Sequence, residues 1–261
     1  MDKFLDLLIP FAVIGAIGAF FGLMLGIAAK FWKIPKDGRI DRILGHLPGA
    51  NCGGCGYSGC KEFAKAIVKG EASCNGCNVC SQEDLDGISD IMGVASSNNV
   101  PSVCTVACRA SGAEKRHEFE GALDCLSVAK LGGDKLCPYS CIGLGSCVAV
   151  CKFDAITLKD SVATVDNEKC TACGACVRTC PKGILRIQPK GSVAVACSSR
   201  DGGKRVGAYC KNGCIACRIC ENVCEAGAIK IVGNLPVIDA AKCTDCGKCI
   251  EKCPKGVLVR A

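Results

Sequence analysis

The sequence predicts an α+β protein in which one apolar helix is followed by small cysteine-stapled modules, the last two in tandem. Three observations predict it. Residues 7–29 carry no charge, 27 of the 261 residues are cysteine, and the cysteine pattern of the C-terminal third recurs upstream at a fixed offset. Only 5% of residues are aromatic while 32 are glycine, too little bulk for one large apolar core. Modules this small need something besides hydrophobic burial at their centres.

The first element is the uncharged run from Leu7 to Ala29. As a helix it reaches about 34 Å, enough for one crossing of the hydrocarbon, so residues 1–35 read as a transmembrane anchor. A secretory signal is the rival, but the run exceeds the usual apolar length and Lys3 is the only side-chain cation before it. Lys30, Lys33, Lys36, Arg39 and Arg42 follow the run, whereas Lys3 sits between Asp2 and Asp6. The positive-inside rule therefore expects a single-pass protein of the inner (cytoplasmic) membrane, its C-terminal bulk on the cytoplasmic side. Phe31 and Trp32 fall where an interfacial aromatic belt would lie. Gly18, Gly22 and Gly26, with Gly15 nearby, suit close approach of another membrane helix, or reflect only the frequency of glycine in such spans.

Residues 36–80 form the next unit. Cys52, Cys55, Cys60 and Cys77 give C-x2-C-x4-C-x16-C, with Gly53, Gly54, Gly56 and Gly59 permitting a loop to close over a metal cluster. Residues 60–69 predict an amphipathic helix, Phe63, Ala64, Ile67 and Val68 on one side and Lys61, Lys65 and Lys69 on another. Cys74 and Cys80 lie beside the fourth cysteine without a pattern of their own. Residues 81–103 read as a short helix and a polar linker, allowing either a hinge or a static tether.

Regions 104–190 and 191–261 carry the repeat. The downstream copy reads Cys214-x2-Cys217-x2-Cys220-x3-Cys224, then Cys243-x2-Cys246-x2-Cys249-x3-Cys253-Pro254. This is the two-cluster ferredoxin spacing, in which three cysteines of each run hold one cubane and the fourth reaches to the other. It assigns Cys214, Cys217, Cys220 and Cys253 to one [4Fe-4S] cluster, and Cys243, Cys246, Cys249 and Cys224 to another. Moving back 73 residues carries Cys210, Cys214, Cys220 and Cys224 onto Cys137, Cys141, Cys147 and Cys151. The same step carries Cys243, Cys246, Cys249 and Cys253 onto Cys170, Cys173, Cys176 and Cys180. The chain therefore holds a tandem duplication. One ligand breaks register, because Cys217 maps to Leu144. Cys137 is the substitute expected beside Cys141, Cys147 and Cys180, leaving Cys170, Cys173, Cys176 and Cys151 for a fourth cluster. Cys104, Cys108, Cys125, Cys197 and Cys210 are left over, either as buried thiols or as a source of an extra cluster. The expected cofactors are thus five [4Fe-4S] clusters, with a sixth possible.

The apolar run, Asn51-Cys-Gly-Gly-Cys-Gly-Tyr-Ser-Gly-Cys60, Gly70-Glu-Ala, Cys77, Ile91-Met-Gly-Val94 and Cys141-Ile-Gly-Leu-Gly-Ser-Cys147 together resemble the B subunits of the Rnf complexes, ion-translocating ferredoxin:NAD oxidoreductases. The resemblance runs nearly end to end. It implies an α+β chain with an N-terminal transmembrane helix, a small [4Fe-4S] domain and tandem ferredoxin-like modules. It also implies that Cys52, Cys55, Cys60 and Cys77 bind the cluster nearest the membrane. The implied partners are soluble ferredoxin, the other membrane and peripheral subunits, and the lipid bilayer. Lys152 and Glu225 depart from the family by replacing the proline that often follows a fourth ferredoxin cysteine.

Other functions find little support. The formal charge of +7 invites a nucleic-acid reading. Four oxidised cubanes with their thiolates would, however, add about −8, and no nucleic-acid motif accompanies the lysines. No glycine-rich nucleotide loop appears, His46 and His117 stand isolated, and no nucleophile is paired with a base, so no catalytic residue is assigned. A relay subunit of another membrane oxidoreductase such as a hydrogenase is the nearest alternative. A zinc-stapled interaction protein without redox chemistry is the more distant one.

Overall fold

The computed structural model describes residues 2–31, 37–96, 100–110, 115–116, 121 and 124–261. His117, Trp32, Lys33 and Lys36, weighed above, lie outside them. The described chain forms two compact units, Met1–Ile40 and Asp41–Ala261.

In the first unit, helix α1 runs from Asp2 to Phe31 over 30 residues. Phe11, Ile14, Phe20, Leu23 and Leu25 on it are each more than 60% exposed, so nothing among the described residues covers this apolar surface. Side chains 2–10, 12, 29 and 31 are outside the description. Among the described residues, no helix is long and apolar enough to cross a membrane.

Helix α2 (Gly38–His46) leads into the second unit. The cysteine-rich loop after it ends in α3 (Cys60–Lys69), which buries Phe63, Ala64, Ala66 and Ile67 and stops at Gly70 in the left-handed region. Lys65 on its outer face pairs with Glu62 at 2.7 Å. Helix α4 (Gln82–Met92) is capped by Ser81, whose side chain accepts from the Asp84 N–H, and ends at Gly93. Its Leu85 and Ile88 are buried, as are Ile43 and Ile67.

The remaining chain is two copies of one plan. In the first, β1 (Ser102–Val106) pairs antiparallel with the closing strand β4 (Leu185–Pro189). Between them lie α5 (Cys125–Lys130), α6 (Ser146–Ala149), the hairpin β2 (Ile156–Lys159) and β3 (Val162–Val165), and α7 (Ala175–Thr179). In the second, β5 (Val193–Val195) pairs with β8 (Leu258–Arg260). These enclose α8 (Gly203–Tyr209), α9 (Ile219–Asn222), the hairpin β6 (Ile229–Val232) and β7 (Leu235–Ile238), and α10 (Lys248–Glu251).

The hairpin turns explain themselves. Asp160 and Ser161, like Gly233 and Asn234, all have positive φ, the two-residue turn whose twist matches the flanking strands. Equivalent bonds recur one repeat apart. Lys182 Nζ donates to the Pro138 carbonyl and Lys255 Nζ to that of Lys211, each at 3.0 Å. The core of the first module is made largely of cysteines, with Cys104, Cys141, Cys147 and Cys176 buried among Ile156, Val162, Ile184 and Leu185.

Candidate metal centres

Short loops set the cysteines in place. In the second module, Ala216 and Arg218 flank Cys217, and Asp245 and Gly247 flank Cys246, all with positive φ. Each such pair turns the backbone twice within three residues, wrapping it around whatever the sulfurs hold. Cys214, Cys217, Cys220 and Cys253 line one cavity. Cys224, Cys243, Cys246 and Cys249 lie close enough together for the first three thiolates to repel a charge on the fourth when Cys249 ionises.

The first module repeats this with one exchange. Cys173 lies near Cys176 and Cys151, and Cys170 and Cys176 both act on Cys104, which gathers Cys151, Cys170, Cys173 and Cys176. Cys137 lines a different cavity from Cys141, Cys147 and Cys180, with which it was expected to form a set. Cys125, at the start of α5, takes that place and lines a cavity with Cys141, Cys147 and Cys180. Its backbone N–H donates to Ser146 Oγ at 3.0 Å, tying α5 to the start of α6. Leu144 stands where the downstream copy has Cys217, yet its neighbours Gly143 and Gly145 keep the positive φ of Ala216 and Arg218. The two copies share the turn and not the thiol. At Gly143 a side chain would run into the Ser161 carbonyl, so the φ and the close approach both require glycine.

Upstream, Cys52, Cys55, Cys60 and Cys77 line a cavity with Leu47, Phe63 and the backbone of Cys173. This loop is seated on the first module. A Cβ at Gly54 would collide with the Cys173 carbonyl. Lys152 Nζ donates to the carbonyls of Ala50 and Asn51 at 3.1 and 3.0 Å. Lys152, where a proline was expected, thus stitches the two segments together.

The remaining cysteines also find places. Cys104 Sγ is 3.5 Å from Cys176 Sγ, and its N–H donates to Cys170 Sγ at 3.3 Å. Cys80 is hydrogen-bonded to Cys77 and approaches the His46 carbonyl at 3.8 Å. Cys74 is half-buried after α3, its thiol pushed up by burial. His46 is a packing residue rather than a ligand. Its ring lies against Gly87, with Nδ1 3.4 Å from Asp84.

The electrostatics test what these quartets suit. Burial pushes the thiols of Cys147 and Cys220 up to about 11. It also raises Cys141, Cys173, Cys214, Cys243 and Cys249. Without a positive partner these groups stay neutral; a bound metal would supply the charge that holds them as thiolates. Backbone amides already point at the sulfurs: the Val257 N–H donates to Cys253 Sγ at 3.3 Å, and Cys141, Cys173 and Cys214 accept from Gly143, Ala175 and Ala216. Among the described residues no three His, Cys, Asp or Glu side chains converge as they would on a single ion. The Cys52, Cys125 and Cys214 sets each line a cavity of their own. The donor set, the amides and the cavities fit [4Fe-4S] clusters. Lys135, 4% exposed, donates to the carbonyls of Cys141 at 2.7 Å and Ser161 at 2.8 Å, placing a cation beside the anionic centre expected there.

Two antiparallel modules, each with paired cysteine quartets, define the class: an iron–sulfur protein built of dicluster ferredoxin units. Residues 140–184 and 213–257 match the family described as 4Fe-4S dicluster domain, and residues 47–79 match that described as putative Fe-S cluster. The chain is 41% identical to the B subunit of the Na(+)-translocating ferredoxin:NAD(+) oxidoreductase complex of Acetobacterium woodii, covering 97% of this chain and 77% of the relative. It is 38% identical to the B subunit of the ion-translocating oxidoreductase complex of Methanosarcina acetivorans, covering 95% and 96%. It is 35% identical to the B subunit of the proton-translocating ferredoxin:NAD(+) oxidoreductase complex of Clostridium ljungdahlii, covering 99% and 93%. The chain belongs to the family of Rnf B subunits, components of ion-translocating oxidoreductase complexes.

Proposed function

We propose that this chain is the electron-relay subunit of an ion-translocating ferredoxin:NAD oxidoreductase, taking low-potential electrons from soluble ferredoxin and delivering them to membrane-bound partners. Five ligand sets carry the relay: Cys52, Cys55, Cys60 and Cys77; Cys151, Cys170, Cys173 and Cys176; Cys125, Cys141, Cys147 and Cys180; Cys214, Cys217, Cys220 and Cys253; and Cys224, Cys243, Cys246 and Cys249. Bound there, each [4Fe-4S] cluster supplies one-electron redox chemistry at a potential set by charge, amide donors and solvent access.

The carrying observation is that, among the cysteines of the described residues, only two are exposed. Cys217 and Cys246, both in the second module, are exposed, whereas Cys141, Cys147 and Cys176 are buried. The loop around Cys52 abuts Cys173. A soluble donor therefore meets thinly covered ligands at the C-terminal module. The Cys52 set, next in sequence to the apolar helix, forms the exit. The uncharged run 7–29 anchors the chain by a single span, and the cations after it put the cluster-bearing bulk in the cytoplasm. The relatives include Na(+)- and proton-translocating complexes.

Crosslinking reduced ferredoxin to the anaerobic complex tests the direction. Crosslinks are expected on the second module near Cys217 and Cys246. Crosslinks confined to the Cys52 loop, with the second module untouched, would overturn the proposed order.

A further inference from the structure

Cys108, Cys137, Cys197 and Cys210 belong to none of the five sets, and the family matches at 140–184 and 213–257 stop short of all four. The structure brings all four to the lining of one cavity where the two modules meet. Each module contributes two, in corresponding places. Cys137 lies four residues before Cys141, and Cys210 four before Cys214. Cys108 is the second residue after β1, and Cys197 the second after β5.

The arrangement repeats in the hydrogen bonding. The Cys141 N–H donates to Cys108 Sγ at 3.4 Å, and the Cys214 N–H to Cys197 Sγ at 3.5 Å. Cys137 also accepts from the Tyr139 N–H and Cys108 from that of Ala110, two residues on. Cys141 and Cys214 receive the same bond within the quartets. Cross-module bonds surround the cavity: Ser198 Oγ donates to the Tyr139 carbonyl at 2.9 Å, Asn212 Nδ2 to the Arg109 carbonyl at 3.0 Å, and Arg109 Nη1 to the Gly256 carbonyl at 2.9 Å. Packing alone asks only for small apolar residues here, such as the Ala107, Ala110 and Ala196 that share the wall. Four thiols, each module supplying the same two, ask for a metal.

We propose that Cys108, Cys137, Cys197 and Cys210 ligate a further [4Fe-4S] cluster that joins the two modules. The site extends the electron-relay reading and rests on it. On assembly each thiol releases one proton as its sulfur bonds one iron. Bound there, the cluster would supply one-electron chemistry, gaining an electron from one neighbouring centre and passing it to the other. The two amides bonded to Cys108 and Cys197 belong to Cys141 and Cys214, ligands of those neighbouring sets, so the junction touches both sides.

Iron and acid-labile sulfide on the anaerobically purified full chain test it. About 24 of each are expected in the wild type, and about 20 in the Cys137→Ala/Cys210→Ala variant with the other centres retained. Wild type holding about 20, or the variant holding as much iron as the wild type, overturns the site while leaving the relay reading intact. Wild type without iron overturns both. Should the double variant lose all iron by unfolding, Cys197→Ser decides, since its oxygen can keep the metal. One altered electron paramagnetic resonance component is then expected, and an unchanged spectrum overturns the site.

Discussion

At the residue scale, two cysteines outside the ligand sets stand beside ligands: Cys104 against Cys176, and Cys80 against Cys77. In each pair one thiol hydrogen-bonds the other. The hydrogen bond holds Cys77 and Cys176 below the usual thiol range and raises Cys80 and Cys104. With Cys176 bound to iron its sulfur has no proton to give, so Cys104 must be the donor. A donor to a ligand sulfur favours the reduced, more negative state of the centre. Cys104→Ala is therefore expected to leave iron content unchanged and lower one midpoint potential. A net hydrogen bond of about 1 kcal/mol corresponds to roughly 40 mV for one electron. Redox titration of the variant checks this, and an unshifted set of potentials would show Cys104 to be packing alone. Lys135 belongs at the same scale. Buried lysine is costly unless an anion is near, and its place beside Cys141 follows from the charge expected there.

At the scale of elements, turn geometry is more durable than ligand identity. The Gly143–Leu144–Gly145 turn keeps the backbone of Ala216–Cys217–Arg218 without its thiol, and α5 brings Cys125 in from outside the repeat. The loop that holds the Cys52 set relies on a different contact, the closeness of Gly54 to the Cys173 backbone. A methyl group there has only main chain to push against. Gly54→Ala is expected to cost about 1–3 kcal/mol of local stability by overpacking. Faster hydrogen exchange at residues 53–56 and 173–175, with iron retained, is the measurable result. Unchanged exchange at both segments would mean that the loop is not seated on the module.

At the scale of the molecule, Met1–Ile40 and Asp41–Ala261 are separate compact units. The second is held together by cysteine-lined centres, the pairings β1–β4 and β5–β8, and the bonds of the inter-module seam. Expressed without residues 1–35, the chain is expected to remain in the aqueous fraction with the iron content of the full chain, whereas the full chain sediments with membranes. Sedimentation of the truncated chain with lipid would show that the run is not the anchor.

Much of the site was legible before any geometry. Spacing alone grouped the Cys214 and Cys243 sets, because ferredoxin ligands are neighbours in sequence and short loops leave them few other arrangements. The 73-residue repeat carried the same grouping to Cys170, Cys173 and Cys176, and apolar spacing placed a helix at 60–69. The exchange of Cys125 for Cys137 escaped. Cys108 and Cys197 correspond in the fold but are 89 residues apart, because the first module carries 16 extra residues between its opening strand and its first ligand run. A fixed offset therefore cannot pair them, and Cys125 lies within that added stretch.

By itself, then, the sequence determined the chemistry: thiolate number, run spacing and tandem repetition are local properties, and they name both the cofactor class and the family. Only the tertiary structure gathered Cys125 with Cys141, Cys147 and Cys180 in one cavity and set Cys104 against Cys176. Cys125, Cys104 and the four cysteines at the junction come from segments far apart in the chain, and what brings them together is antiparallel strand closure and module packing, neither of which leaves a periodic trace in the sequence.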